Sequence, residues 1–185
     1  MLRLVIGFLP WIILAVLGNR FFVLALVLAL AAVATGRQLF SHSLTILDTV
    51  TLAFFVFVTV GVIGFRWMIL GTYMSLLVNI TLMAIAWGSL LAGTPFTIQY
   101  AREHVAPELW QTAPFIRVNR YITAVWGLDF FLSALVSLYR HTTGDTGLVL
   151  QYAWVLLSVF AALFTTRFPA WYRARALRAV SSSAD

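Results

Sequence analysis

Long apolar runs broken by short polar stretches set the pattern of this chain. Six segments approach the roughly 20 mainly apolar residues that a bilayer-spanning helix needs. They are Leu2–Gly18, Phe21–Arg37, Ile46–Gly64, Trp67–Gly93, Asn119–Tyr139 and Gly147–Thr166. The first two are short, and only Gly18-Asn19-Arg20 separates them. Glycine and asparagine tolerate positive φ, which suits a tight helical hairpin. If one of the two does not span, five crossings remain. Trp67–Gly93 rises about 40 Å at 1.5 Å per residue, so it must tilt or project past the hydrocarbon. The pattern predicts an all-α fold, a polytopic transmembrane helical bundle of about six spanning helices. Residues 1–180 form one domain, and residues 181–185 are a flexible polar tail.

Composition narrows the class further. The chain is 62% hydrophobic and 10% charged, with a mean hydropathy of +0.97. An ordinary soluble domain carries about 25% charged residues, so this chain has too few charges to cover a water-facing surface. Soluble enzymes, disordered regulators and nucleic-acid readers are excluded. Cysteine is absent, which removes disulfides, thiolate catalysis and thiolate metal sites. The twelve basic residues are all arginine, so Schiff-base chemistry, which needs a lysine amine, is excluded too. Arg3 before the first run has the look of a signal peptide. Leu17-Gly18-Asn19-Arg20 is a poor cleavage site, however, and the segment reads as a retained helix.

The arginines orient the bundle. With six crossings, one side collects Arg3, Arg37, Arg102, Arg117, Arg120, Arg167, Arg173, Arg175 and Arg178, and the other Arg20, Arg66 and Arg140. Basic residues favour the cytoplasmic side of a membrane, so both termini are expected there. The expected location is the bacterial inner membrane, with anionic headgroups on the cytoplasmic face as one partner.

The longest polar connection, Thr94–Val118, contains a helix start at Thr94-Pro95 and an apolar stripe of Ile98, Ala101 and Val105. It predicts a short interfacial helix closed by Pro107. Arg102, Arg117 and Arg120 are candidates to gather a lipid phosphate, whose oxygens suit the planar guanidinium fork. Glu103, His104 and Glu108 make a poor metal set because Pro107 breaks their helical register, and neither metal nor cofactor is expected.

Polar groups inside the spans are the remaining chemistry. Asp129 is the one that costs most in hydrocarbon. Asn119, Thr123, Trp126, Phe130, Ser133 and Ser137 form a narrow stripe on the same helix, with Asp129 to one side. Thr72, Ser75 and Asn79 share a face of the fourth segment. Asp129, Asn79, Asn119 and Thr123 are therefore a candidate intramembrane polar site, serving either as hydrogen-bonding glue between helices or as a small cavity. Asp48 complements a helix N-terminus. Most of the seven Trp and six Tyr lie near segment ends, as an aromatic belt would, with Trp87 and Trp126 as exceptions. The arginine-rich stretch Phe168–Val180 reads as a basic interfacial helix.

Gly7-Phe8-Leu9-Pro10, Leu47-Asp48-Thr49-Val50-Thr51-Leu52-Ala53-Phe54-Phe55, and Trp110, Asn119 and Trp126-Gly127-Leu128-Asp129-Phe130-Phe131 together resemble the intracellular septation protein A family. These are small polytopic proteins of the bacterial inner membrane. The resemblance implies a role in envelope integrity and septation, usually drawn with five crossings, and it carries no catalytic residue to this chain. The arginine-rich end and Thr94–Glu103 depart from the family pattern.

The expectation is thus a structural or interaction protein, partnered by membrane proteins or by itself and not by nucleic acid. The alternatives are an accessory subunit of a larger membrane complex, or a small transporter or channel using Asp129. A lipid-handling enzyme ranks below these, because no nucleophile–base pair has recognisable spacing.

Overall fold

A computed structural model describes residues 2–17, 27–28, 32, 36, 45–144 and 147–181. The turn expected at residues 18–20, most of the second span and residues 182–185 of the polar tail lie outside them. The described residues are helical, with no strand among them. Helix α1 is Leu2–Leu17, and α2 is Ile46–Thr59, continued by a π turn at Val60–Gly64. Helices α3 (Met68–Thr72) and α4 (Met74–Leu91) follow, then the short α5 (Thr97–Ala101) and the long α6 (Ala113–Thr143) and α7 (Leu148–Ser181). Four stretches among the described residues are long and apolar enough to cross a membrane: Ile46–Gly64, Met74–Leu91, Ala113–Thr143 and Tyr152–Arg175. Helix α1 rises only about 24 Å, less than the hydrocarbon thickness.

The helices end where their backbone chemistry lets them. Gly93 takes the left-handed conformation, φ 75°. Thr94 N–H then bonds Ser89 O (3.0 Å) and Gly93 N–H bonds Leu90 O (3.0 Å), closing α4 in a Schellman motif. After α2 the same conformation falls on Arg66, φ 55°, a position that usually selects glycine. The expected Trp67–Gly93 helix is broken at Tyr73, which leaves helical geometry (φ −98°, ψ 15°) and separates α3 from α4.

Cross-contacts fix the helix directions. Ser75 bonds Ser137 (2.8 Å) and Trp87 abuts Gly127, so α4 and α6 are antiparallel. Ser158 reaches Asp129 and Thr165 reaches Trp126, so α6 and α7 are antiparallel as well. By contrast, Trp11 Nε1 donates to Thr51 Oγ1 (2.9 Å) and Gly7 lies against Leu47, so α1 runs parallel to α2. On the stretch between them, Val27 and Leu28 are helical, and Val27 is fully buried.

These directions give the bundle a near end and a far end. The near end holds the starts of α1, α2 and α6, α5, and the last turns of α7. There lie Arg102, Arg117, Arg120, Arg167, Arg173 and Arg175, while Arg66 and Arg140 lie at the far end. This sorting of the described arginines follows the one expected from sequence.

Aromatic residues dominate the core. Phe8 stacks on Trp126 (5.2 Å, 15°), and Trp11 packs on Phe54 and Phe55. Large apolar side chains such as Leu91, Val149 and Leu156 face outward, as helices facing lipid allow. Two segments differ from expectation. The basic stretch Phe168–Val180 is not a separate helix but continues α7 through Pro169. In the 94–118 connection the stripe Ile98, Ala101 and Val105 is only half-buried. The inward face is Pro95, Phe96, Thr97 and Tyr100, because these side chains find partners inside the bundle.

Candidate functional site

The polar residues singled out by sequence fall into three separate places along the bundle. At the near end, Thr45 caps α2, its hydroxyl accepting from Asp48 N–H (3.2 Å) and donating to the Asp48 carboxylate. The first of these bonds is an ordinary N-cap, and the second ties the two side chains together. The Tyr100 hydroxyl lies 3.0 Å from Thr45 Oγ1, and Gln99 Oε1 accepts from Ile46 N–H at 2.9 Å. The polar face of α5 therefore supplies the capping partners that the α2 terminus lacks within itself. A Cβ on Gly7 would stand 3.2 Å from Leu47 and 3.3 Å from the Tyr100 hydroxyl, so α1 approaches this cluster at a residue with no side chain.

The same segment binds α6. Thr97 Oγ1 donates to Asn119 O (3.1 Å) and lies 2.8 Å from Thr123 Oγ1, leaving Thr123 to donate to Thr97. Asn119 turns its amide to Phe115 O (2.9 Å) on its own helix. Phe96 N–H donates to Ser89 Oγ (3.1 Å), which holds the segment to the end of α4. Asn119 and Thr123 thus belong to a buried hydroxyl-rich seam between α5 and α6.

Asp129 lies further along α6, about 15 Å beyond Asn119 and about 9 Å beyond Thr123 at 1.5 Å per residue. It is 4% exposed. Ser158 Oγ of α7 donates to its Oδ2 at 3.1 Å, and Ser133 Oγ, one turn along α6, donates to Oδ1 at 3.4 Å. The carboxylate is therefore part of a helix–helix contact. Trp126, one turn before it, donates from Nε1 to Thr165 Oγ1 at 3.0 Å while its ring meets Phe8. Trp126 is thus a core residue joining α1, α6 and α7, which explains its poor fit to a belt. Trp87 lies over Gly127, where a Cβ would come within 2.9 Å of the indole nitrogen.

Asn79 is apart from both places, its amide donating to Ser75 O (2.9 Å) within α4. The structure brings Asn119 and Thr123 together but leaves Asp129 and Asn79 each with other partners. The arginines differ in the same way. Arg102 lies over the Trp110 ring at 5.0 Å, and Arg117 Nη1 donates to the Tyr172 hydroxyl at 3.3 Å. Arg120 is exposed, one turn beyond Arg117 on α6.

Sequence reasoning passed over Thr45, Thr97 and Tyr100 as a buried set, and Ser158 and Thr165 as partners. A signal existed for the last two: they are hydroxyl residues within an otherwise apolar run. Among the described residues no cluster of three metal-ligating side chains occurs. One cleft, of about 290 Å³, opens at the far end, lined among others by Tyr73, Ser75, Ser137, Arg140 and His141. Asp129 does not line it. Set against protein-family models, curated proteins and solved structures, the chain matches none.

Proposed function

We propose that the chain is a structural or interaction protein of the bacterial inner membrane, acting in envelope maintenance or septation through contacts with other membrane proteins or with itself. The observation that supports this most is the setting of Asp129. The most expensive group in the spans accepts hydrogen bonds from Ser133 and Ser158 in a helix–helix contact, away from the cleft. An intramembrane acid used in this way holds helices together. The polar groups of the near end are likewise engaged with one another. The septation assignment itself rests on the motif resemblance. Its three regions meet in the core, where Gly7 lies against Leu47 and Phe8 against Trp126.

The proposed topology has six crossings with both termini in the cytoplasm. Parallel α1 and α2 favour a crossing between them, and the near-end arginines favour the cytoplasmic side for that end. Anionic headgroups are the lipid partners of that face, with Arg102, Arg117 and Arg120 among the contacts.

The test couples phenotype to flux. A strain lacking the gene should divide abnormally or leak across its envelope, and photo-crosslinkers at Leu156 and Phe160 of α7 should capture membrane proteins or a second copy. Normal division and a sound envelope, together with ion flux in proteoliposomes that Asp129→Asn abolishes, would overturn the proposal in favour of transport.

A further inference from the structure

We propose that the far-end cleft between α4 and α6 is a binding site for a phosphate-type oxyanion. The proposal goes beyond the structural role and stands independently of it. The cleft is lined by Thr72, Tyr73 and Ser75 from the α3–α4 break, and by Ser137, Arg140 and His141 from the last turns of α6. Its volume, about 290 Å³, is far more than a single water requires. No lining residue is acidic, and Arg140 and His141 bring the basic groups. Arginine presents several N–H donors in a planar fork that matches phosphate oxygens, so a second interaction of its side chain leaves donors for an anion.

Two serines of the lining add neutral donors. Ser75 and Ser137 are 2.8 Å apart and share one hydrogen bond. Two hydroxyls carry two protons, so one remains to be donated outward. The Tyr73 ring lies 4.0 Å from the His141 ring, tilted by 47°, and so holds the imidazole at the cleft. Thr72 and Ser75 flank Tyr73, which departs from helical geometry (φ −98°, ψ 15°), and all three line the cleft against α6.

The place of the cleft at the far end bears on where the oxyanion comes from. Exposed Trp67, Tyr139 and Tyr152 surround the same end of the bundle, and aromatic residues of this kind sit at the headgroup level. Leu76 gives the cleft an apolar wall on the side toward the spans. A phosphodiester headgroup with its acyl chains along the bundle and a free phosphate ion present the same oxygens. The experiment separates them.

The protein with isotope-labelled histidine, in alkyl maltoside micelles free of any phosphate group, is titrated with inorganic phosphate. In parallel, phosphatidylglycerol is titrated into the same micelles at constant ionic strength. The His141 side-chain resonances, assigned with His141→Gln, should shift saturably. A shift with phosphatidylglycerol alone assigns a lipid headgroup, and a shift with inorganic phosphate assigns the soluble ion. Arg140→Gln should weaken the midpoint by tenfold or more, Ser137→Ala by a smaller factor, and Arg117→Gln at the other end not at all. No saturable shift in the unmodified protein with either ligand overturns the proposal, as does an unchanged midpoint in Arg140→Gln. Should Arg140→Gln not fold, Arg140→Lys serves: loss of the fork with retention of charge should still raise the midpoint.

Discussion

Removing the Ser158 hydroxyl measures what the Asp129 contact contributes. Ser158→Ala deletes the closer of the two donors to the carboxylate, the one at 3.1 Å, and leaves Ser133 at 3.4 Å. Asp129 is 4% exposed, so its carboxyl depends on these two hydroxyls for hydrogen bonds. Because Asp129 keeps the Ser133 donor, the loss should stay within the range measured between membrane helices, about 0.6 kcal/mol and at most about 1.7 kcal/mol. Asp129→Ala should cost less, because it withdraws the polar group from the span altogether and frees Ser158 to bond a carbonyl of its own helix. In the double variant neither partner is stranded. The cycle should therefore yield a coupling of about 0.6 kcal/mol, with a ceiling near 1.7 kcal/mol, the range known for hydrogen bonds between membrane helices. Reversible unfolding in mixed micelles, followed by tryptophan fluorescence and far-ultraviolet circular dichroism, provides the four stabilities. The longer Ser133 contact should couple more weakly in a parallel cycle. Coupling for Ser158 indistinguishable from zero, or smaller than that for Ser133, would refute the view that this acid clamps α6 to α7.

Three further perturbations probe other joints. Trp126→Phe keeps the ring beside Phe8 but removes the Nε1 bond to Thr165. It should lower stability by about 0.5–1.7 kcal/mol in the same unfolding assay, whereas Trp126→Ala should cost about 3–5 kcal/mol. Gly127→Val places methyl groups where a Cβ already stands 2.9 Å from the Trp87 indole. It should destabilise by about 1–3 kcal/mol and alter Trp87 emission, and an unchanged spectrum would contradict the close approach. Arg66→Gly relieves a left-handed residue, worth about 1–2 kcal/mol, and forfeits about 0.5–1 kcal/mol of backbone entropy. The expected outcome is a gain of about 0.5–1 kcal/mol, and a loss of stability would show that the Arg66 side chain contributes more than its backbone strain costs.

The elements legible in the sequence were those whose signal is local. Apolar runs marked the spans, and the Asn119–Ser133 stripe on α6 is the buried face, because both depend only on spacing along one helix. Gly93 ended α4 where its conformational freedom permits. What stayed hidden depends on pairs of elements. Periodicity places Asp129 on a face of α6 but does not say that Ser158 of another helix opposes it. The α5 segment shows the limit most clearly. Its apolar stripe Ile98, Ala101 and Val105 points to a helix lying on the interface, yet Thr97 and Tyr100 turn inward, where they meet Thr45, Asn119 and Thr123. The inward face combines apolar Pro95 and Phe96 with the hydroxyls of Thr97 and Tyr100, so partners on other helices, and not spacing along the segment, decide which face is buried. Tyr73 offered no breaker signal at all, having neither glycine nor proline chemistry.

The Thr45–Tyr100 contact spans 55 positions of chain. At elongation rates of about 5–20 residues per second, roughly 3–11 s of translation separate the two side chains as they leave the ribosome. Throughout that interval the start of α2 is already made while the residues that close over it are still unsynthesised. A nascent bundle of α1 and α2 is therefore left with an open polar end, and the membrane insertion machinery or water must shelter Asp48 until the later segment arrives. Biogenesis of this protein is completed from its middle, well after its first helices have been delivered to the bilayer.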